Sequence, residues 1–199
     1  MGDIVGSEEY EQTDLQREFA RLCKSINQQH KTSLISPLTI TLGDEFQGIA
    51  SDLSSGINLI LQMERMRISS ALNFKIRYVL YYGEISTDIN KKIAYGMLGT
   101  GLSKARQILE DSKSQHARFA TDVQNQKIND AFANAFTVYQ TITDQWNISR
   151  DAELIASLIK WGDYKIVAEK MNKTRSIIWK REKSLMIKEF FAIEKLINF

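Results

Sequence analysis

Residues 38–49 read Leu-Thr-Ile-Thr-Leu-Gly-Asp-Glu-Phe-Gln-Gly-Ile. Leu38 to Leu42 alternates apolar and β-branched residues, the period of a strand with two unlike faces. Gly43-Asp44 is a two-residue turn, and Glu45 to Ile49 alternates again. The stretch predicts a β-hairpin with Asp44 at its tip. On its N-terminal side, Ser36-Pro37 is expected to break the chain. Before that break, residues 8–30 carry Leu15, Phe19, Leu22, Cys23 and Ile26 on one helical stripe. Thr13 or Asp14 is the expected cap of that helix. On the C-terminal side, residues 52–68 predict a second helix and Lys75 to Ile85 a third strand. A loop is expected over 87–97, a helix from Ser103, and a short strand at Arg118-Phe119-Ala120. With a strand at the very start the order is βαββαβ, an α+β fold whose sheet carries helices on one face.

Beyond residue 120 the pattern is helical: 125–146, 151–161, and 164–195 with a break near Asn172. A boundary is expected near 145–151, where composition turns basic and Ser149 is placed to cap a new helix. The expected division is a sheet domain with a trailing helix over 1–147 and an all-helical domain over 148–199. Residues 149–199 hold 11 Lys and Arg against 7 Asp and Glu, whereas the remainder holds 15 against 17. The excess concentrates in 170–183, where six basic residues face the single acid Glu182. A basic segment on a near-neutral body calls for a polyanionic partner.

Composition narrows the class. The chain is 43% hydrophobic and 25% charged, which provides a core and excludes disorder throughout. No stretch approaches the ~20 apolar residues of a membrane span. The N-terminal stretch does not read as a signal peptide or a myristoylation signal. One cysteine, Cys23, excludes an internal disulfide, and with two histidines it excludes a structural zinc site. These features point to a cytoplasmic protein.

Residues 164–183 fit a helix-turn-helix. Ala168 is the small residue that lets the second helix pack close, and Asn172 tolerates the left-handed backbone of the turn. Ile178 anchors the second helix, Val167 and Met171 supply the first-helix core, and Thr174 is placed to cap. Arg175, Ser176 and Lys180 are then expected to face base edges, with Lys173 and Lys183 on phosphates. Arg181 departs from the pattern, because another apolar residue is common at its position.

Two acidic motifs remain: Asp3-Ile4-Val5-Gly6-Ser7 and Leu42-Gly43-Asp44-Glu45-Phe46. If a first strand and the hairpin tip lie side by side, Asp3 and Asp44 converge on an oxygen site for magnesium or manganese, which in turn holds phosphates.

This pair resembles the palm domain of class III nucleotide cyclases, and the hairpin is superficially similar to the GGDEF motif of diguanylate cyclases. Ile76 to Ile85, Tyr95 to Gly99 and Ala105-Arg106 continue the likeness in order. The resemblance implies Asp3 and Asp44 as metal ligands, Arg106 as a phosphate contact, and a homodimer. Over nearly its full length the chain resembles SatD-like bacterial proteins: Gly2 to Ser7, Ile40 to Gly48, Gly83 to Thr87 and residues 164–183 all match that pattern. In that family a strand precedes the first motif. Only Gly2 to Val5 are available to pair here, so the first strand looks truncated and the native start is expected upstream of Met1.

Departures from an active cyclase are specific. Ile40 stands where a base-reading Lys or Glu belongs, residues 94–99 contain no acid, and Leu102 stands where an Asn belongs. Each lost charge-stabilising group costs ~3 kcal/mol of barrier. The expectation is a DNA-binding regulator whose palm binds a nucleotide or metal ligand, or dimerises, and is not an efficient enzyme. The alternative is a divergent metal-dependent nucleotidyl cyclase or transferase using Asp3, Asp44 and Arg106.

Overall fold

A computed structural model describes residues 1–198. Five strands, β1 (Gly2–Val5), β2 (Leu34–Ile40), β3 (Glu45–Ala50), β4 (Lys75–Tyr81) and β5 (Phe119–Asp122), form one sheet in the order β2-β3-β1-β4-β5. All neighbours are antiparallel except β4 and β5, so the sheet is mixed. Eight α-helices accompany it among the described residues: α1 (Gln12–Gln29), α2 (Leu53–Ser69), α3 (Thr100–Ser114), α4 (Gln126–Asp144), α5 (Ile148–Trp161), α6 (Tyr164–Lys170), α7 (Arg175–Ser184) and α8 (Ile187–Ile197). The fold is α+β, as the patterning predicts. No described helix is long and apolar enough to cross a membrane.

Five expectations are corrected. The turn between β2 and β3 is the four residues 41–44, not Gly43-Asp44 alone, and Ile40 pairs with Phe46. The helices are not confined to one face of the sheet, because α3 packs on the face opposite α1 and α2. The cap of α1 is Glu11, whose carboxylate accepts from the Thr13 and Asp14 amides; its longer side chain reaches donors that Thr13 and Asp14 supply instead of satisfying. Pro37 lies inside β2 and does not break it. β2 is an edge strand whose register shifts around Ser36, and an edge bulge tolerates the missing N–H. β4 ends at Tyr81, four residues before the expected end, where the chain leaves the sheet to run through irregular structure to Gly99.

Side-chain alternation gives the sheet two different faces. Ile4, Phe46, Ile76, Tyr78 and Phe119 join the main core with α1 and α2. Met1, Val79 and Ala120 turn the other way, toward Ala105 and Leu109 of α3. An aromatic chain then links the sheet to the C-terminal helices: Tyr78 stacks on Phe119 at 5.5 Å, Phe119 meets Tyr139 at 5.5 Å, and Phe190 lies between Tyr139 and Trp146. Trp146 donates its Nε1 proton to Leu185 O at 2.8 Å, and Arg65 of α2 pairs with Glu194 of α8. One apolar core thus runs continuously from Ile4 to Ile197.

Candidate functional site

The C-terminal helices place most of the residues that the basic segment singles out. Asn172 adopts φ 51° between α6 and α7. The Lys173 amide donates to Ala168 O at 2.9 Å and the Asn172 amide to Glu169 O at 3.2 Å. This double return closes α6, and it requires the left-handed residue. Thr174 caps α7 by accepting from the Ile177 amide. Val167 and Ala168 of α6 and Ile178 of α7 are all almost fully buried, on two helices that pack against each other. Arg175, Ser176, Lys180 and Lys183 all lie on the exposed side of α7, and Lys173 is exposed in the turn before it.

Arg181 has a structural explanation that the sequence alone hides. Its Nη2 lies 2.7 Å from Oδ1 of Asp151, a buried carboxylate on α5 that also takes Arg150. The Arg150 hydrogen bonds outweigh burial and, with Arg181, hold the Asp151 carboxyl below the usual range. An ion pair to α5 therefore replaces the apolar contact at position 181. Asp151 is one residue that sequence reasoning missed; its only signal is an acid in the first turn of α5.

At the sheet, β1 and the hairpin tip do lie side by side: the Ile4 amide donates to Asp44 O at 3.0 Å. The two carboxylates nevertheless have separate partners. Asp3 is 4% exposed, and Arg77 Nη1 reaches its two oxygens at 2.8 and 2.9 Å. Lys113 Nζ of α3 stands 3.6 Å from the same carboxylate. Burial pushes the Asp3 carboxyl above its ordinary value against the pull of these two cations. Lys113 is raised despite partial burial, because Glu110, Asp3 and Glu45 surround it. Asp44 accepts the Ser7 hydroxyl proton at 2.5 Å. Arg106 Nη2 lies 3.3 Å from Glu45 Oε2.

This face is a set of matched pairs, not an open cluster of acids. Among the described residues no group of three or more His, Cys, Asp or Glu is arranged to hold a metal ion. A divalent cation needs several free oxygens, and those of Asp3 already carry a guanidinium. The residues as arranged do not fit magnesium or manganese. The Arg77 and Lys113 partners of Asp3 escaped the sequence reading because pairing register, not spacing, brings them there.

A cleft of about 430 Å³ opens elsewhere, in the plane of the sheet between β3 and β4. It is walled by Gly48, Ile49, Leu80 and Tyr81, floored by α2 residues such as Gly56 and Ile60, and contains none of Asp3, Asp44 and Arg106. Met1 closes one end, exchanging both backbone hydrogen bonds with Val79.

Among known proteins, a family model described as the SatD family matches residues 1–197. No curated protein and no solved structure matches the chain.

Proposed function

The chain belongs to the SatD family over both its sheet and its C-terminal helices, and on that premise we propose that it is a DNA-binding regulator. The observation that carries this reading is the α6–α7 turn. Asn172 holds the left-handed corner, Ala168 and Ile178 are buried on the two packed helices, and α7 turns Arg175, Ser176 and Lys180 outward with Lys173 and Lys183 at the flanks. That is the arrangement by which a helix-turn-helix lays its second helix in the major groove while neighbouring cations neutralise phosphates. The ion pair between Arg181 and Asp151 adds α5 as a third helix bracing the pair.

The sheet half supports a palm-like domain by its βαββαβ order, with β5 added beside β4. The internally matched ion pairs favour a scaffold or ligand-binding role over catalysis, and a second copy would present two α7 helices to successive half-sites. The test is fluorescence anisotropy of labelled duplex DNA against salt concentration. Log affinity should fall linearly with log salt, with a slope set by the number of phosphates neutralised. An affinity indifferent to salt would overturn the reading.

A further inference from the structure

Trp179 occupies the middle of the exposed stripe of α7. In a helix, residues three and four apart share a face, so Arg175, Ser176, Trp179, Lys180 and Lys183 line one outward surface, while Ile178 and Glu182 point inward. A 39%-exposed indole at the centre of the chain's most basic segment is not a core residue. Lys183 Nζ lies 4.0 Å from its ring centroid. That cation covers part of the ring and leaves the rest of the indole facing out with Arg175 and Lys180. A surface with an apolar centre and a cationic border fits a ligand of the same pattern: an apolar group flanked by phosphates. In duplex DNA the major groove offers one such group, the C5-methyl of thymine. Trp161, the other exposed tryptophan, does not share this position. It ends α5, with Lys170 over its ring at 4.2 Å, away from the stripe.

We infer that Trp179 is a specificity-determining residue that packs against a thymine methyl in the major groove, with Lys183 set beside it for the adjoining phosphate. The inference rests on the DNA-binding reading above and adds to it a base preference.

The probes are an alternating dA·dT duplex and the same duplex with deoxyuridine in place of thymidine, which differ only in the methyl group. The wild-type chain should bind the thymine duplex about fourfold more tightly for each methyl contacted, the worth of one such group withdrawn from water. Trp179→Ala should bind the two duplexes equally, with the salt slope of the wild type and an unchanged circular-dichroism melting curve. Trp179→Leu should recover part of the preference. If neither duplex binds with a salt-dependent affinity, the DNA-binding reading itself fails. If both bind with a normal salt slope and equal affinity, that reading stands and the role of Trp179 is overturned. Tighter binding to single-stranded oligo-dT than to duplex also overturns it, because the indole would then be stacking on an unpaired base.

Discussion

Arg118, at the entry to β5, places Nη2 2.7 Å from Oε1 of Glu64 in the middle of α2, and both side chains are sealed from water. The same arginine donates Nε to Ile76 O of β4 at 3.0 Å and reaches Asp144 of α4. Glu64 also receives Arg67 at 3.1 Å and the Tyr78 hydroxyl at 3.0 Å. One buried carboxylate thus ties α2 to the sheet, and through Arg118 to α4. Glu64→Gln leaves two guanidinium groups buried with less than their matching charge. Urea unfolding should show a loss of about 3–5 kcal/mol, the usual cost of removing one partner from a buried pair.

The same carboxylate sets an acid limit. Burial would raise its pKa, but Arg118 and Arg67 overcome that and hold it at about 2 against an ordinary 4.5. A group depressed in the folded state stabilises fully above its unfolded pKa and loses that contribution as pH falls through the folded one. Thermal melts should therefore weaken between about pH 4.5 and 2, and Glu64→Gln should flatten that slope. Asp3 has the opposite sign: its carboxyl is raised by burial, so protonating it favours the folded state.

Arg77→Met leaves the Asp3 carboxylate in a nearly dry site with only the more distant Lys113 as a cation. A loss of about 3 kcal/mol is expected at neutral pH, and Asp3→Asn in the same chain should recover most of it, because the charge to be matched is gone. Manganese should leave the wild-type melting temperature unchanged, since Arg77 already occupies the oxygens. A metal-dependent rise abolished by Asp3→Asn would contradict that arrangement.

At the α6–α7 turn, Asn172→Gly should be neutral or slightly stabilising, because glycine adopts positive φ without a Cβ penalty. Asn172→Val should cost about 1–3 kcal/mol, since a β-branched residue is strained there. Equal effects from the two substitutions, read by chemical denaturation, would show that the turn conformation does not matter to stability.

On DNA, Arg175→Ala and Lys180→Ala should each relax sequence preference by about 1–3 kcal/mol, whereas Lys173→Ala should weaken all sequences alike and shallow the salt slope by about one. Competition binding with unrelated duplexes separates the two outcomes.

The sequence by itself determined the elements whose signals are local. The Leu38–Ile49 alternation gave the hairpin, the stripe from Leu15 to Ile26 gave α1, and Ala168, Asn172 and Ile178 gave the two-helix turn, because hydrophobic period and left-handed tolerance are properties of neighbouring residues. The second αL break at Met186, φ 53°, carried no such residue signal and passed unread within the expected 164–195 helix. What only the tertiary structure decided is pairing between distant residues. Asp3 meets Arg77 through the β1–β4 register, Arg181 meets Asp151 through helix packing, and Arg106 meets Glu45 where α3 packs on the sheet. A carboxylate on a strand reads the same in sequence whether it will hold a metal or an arginine. The difference lies in which side chain the fold brings within about 3 Å, where low dielectric makes one partner worth far more than any distant alternative.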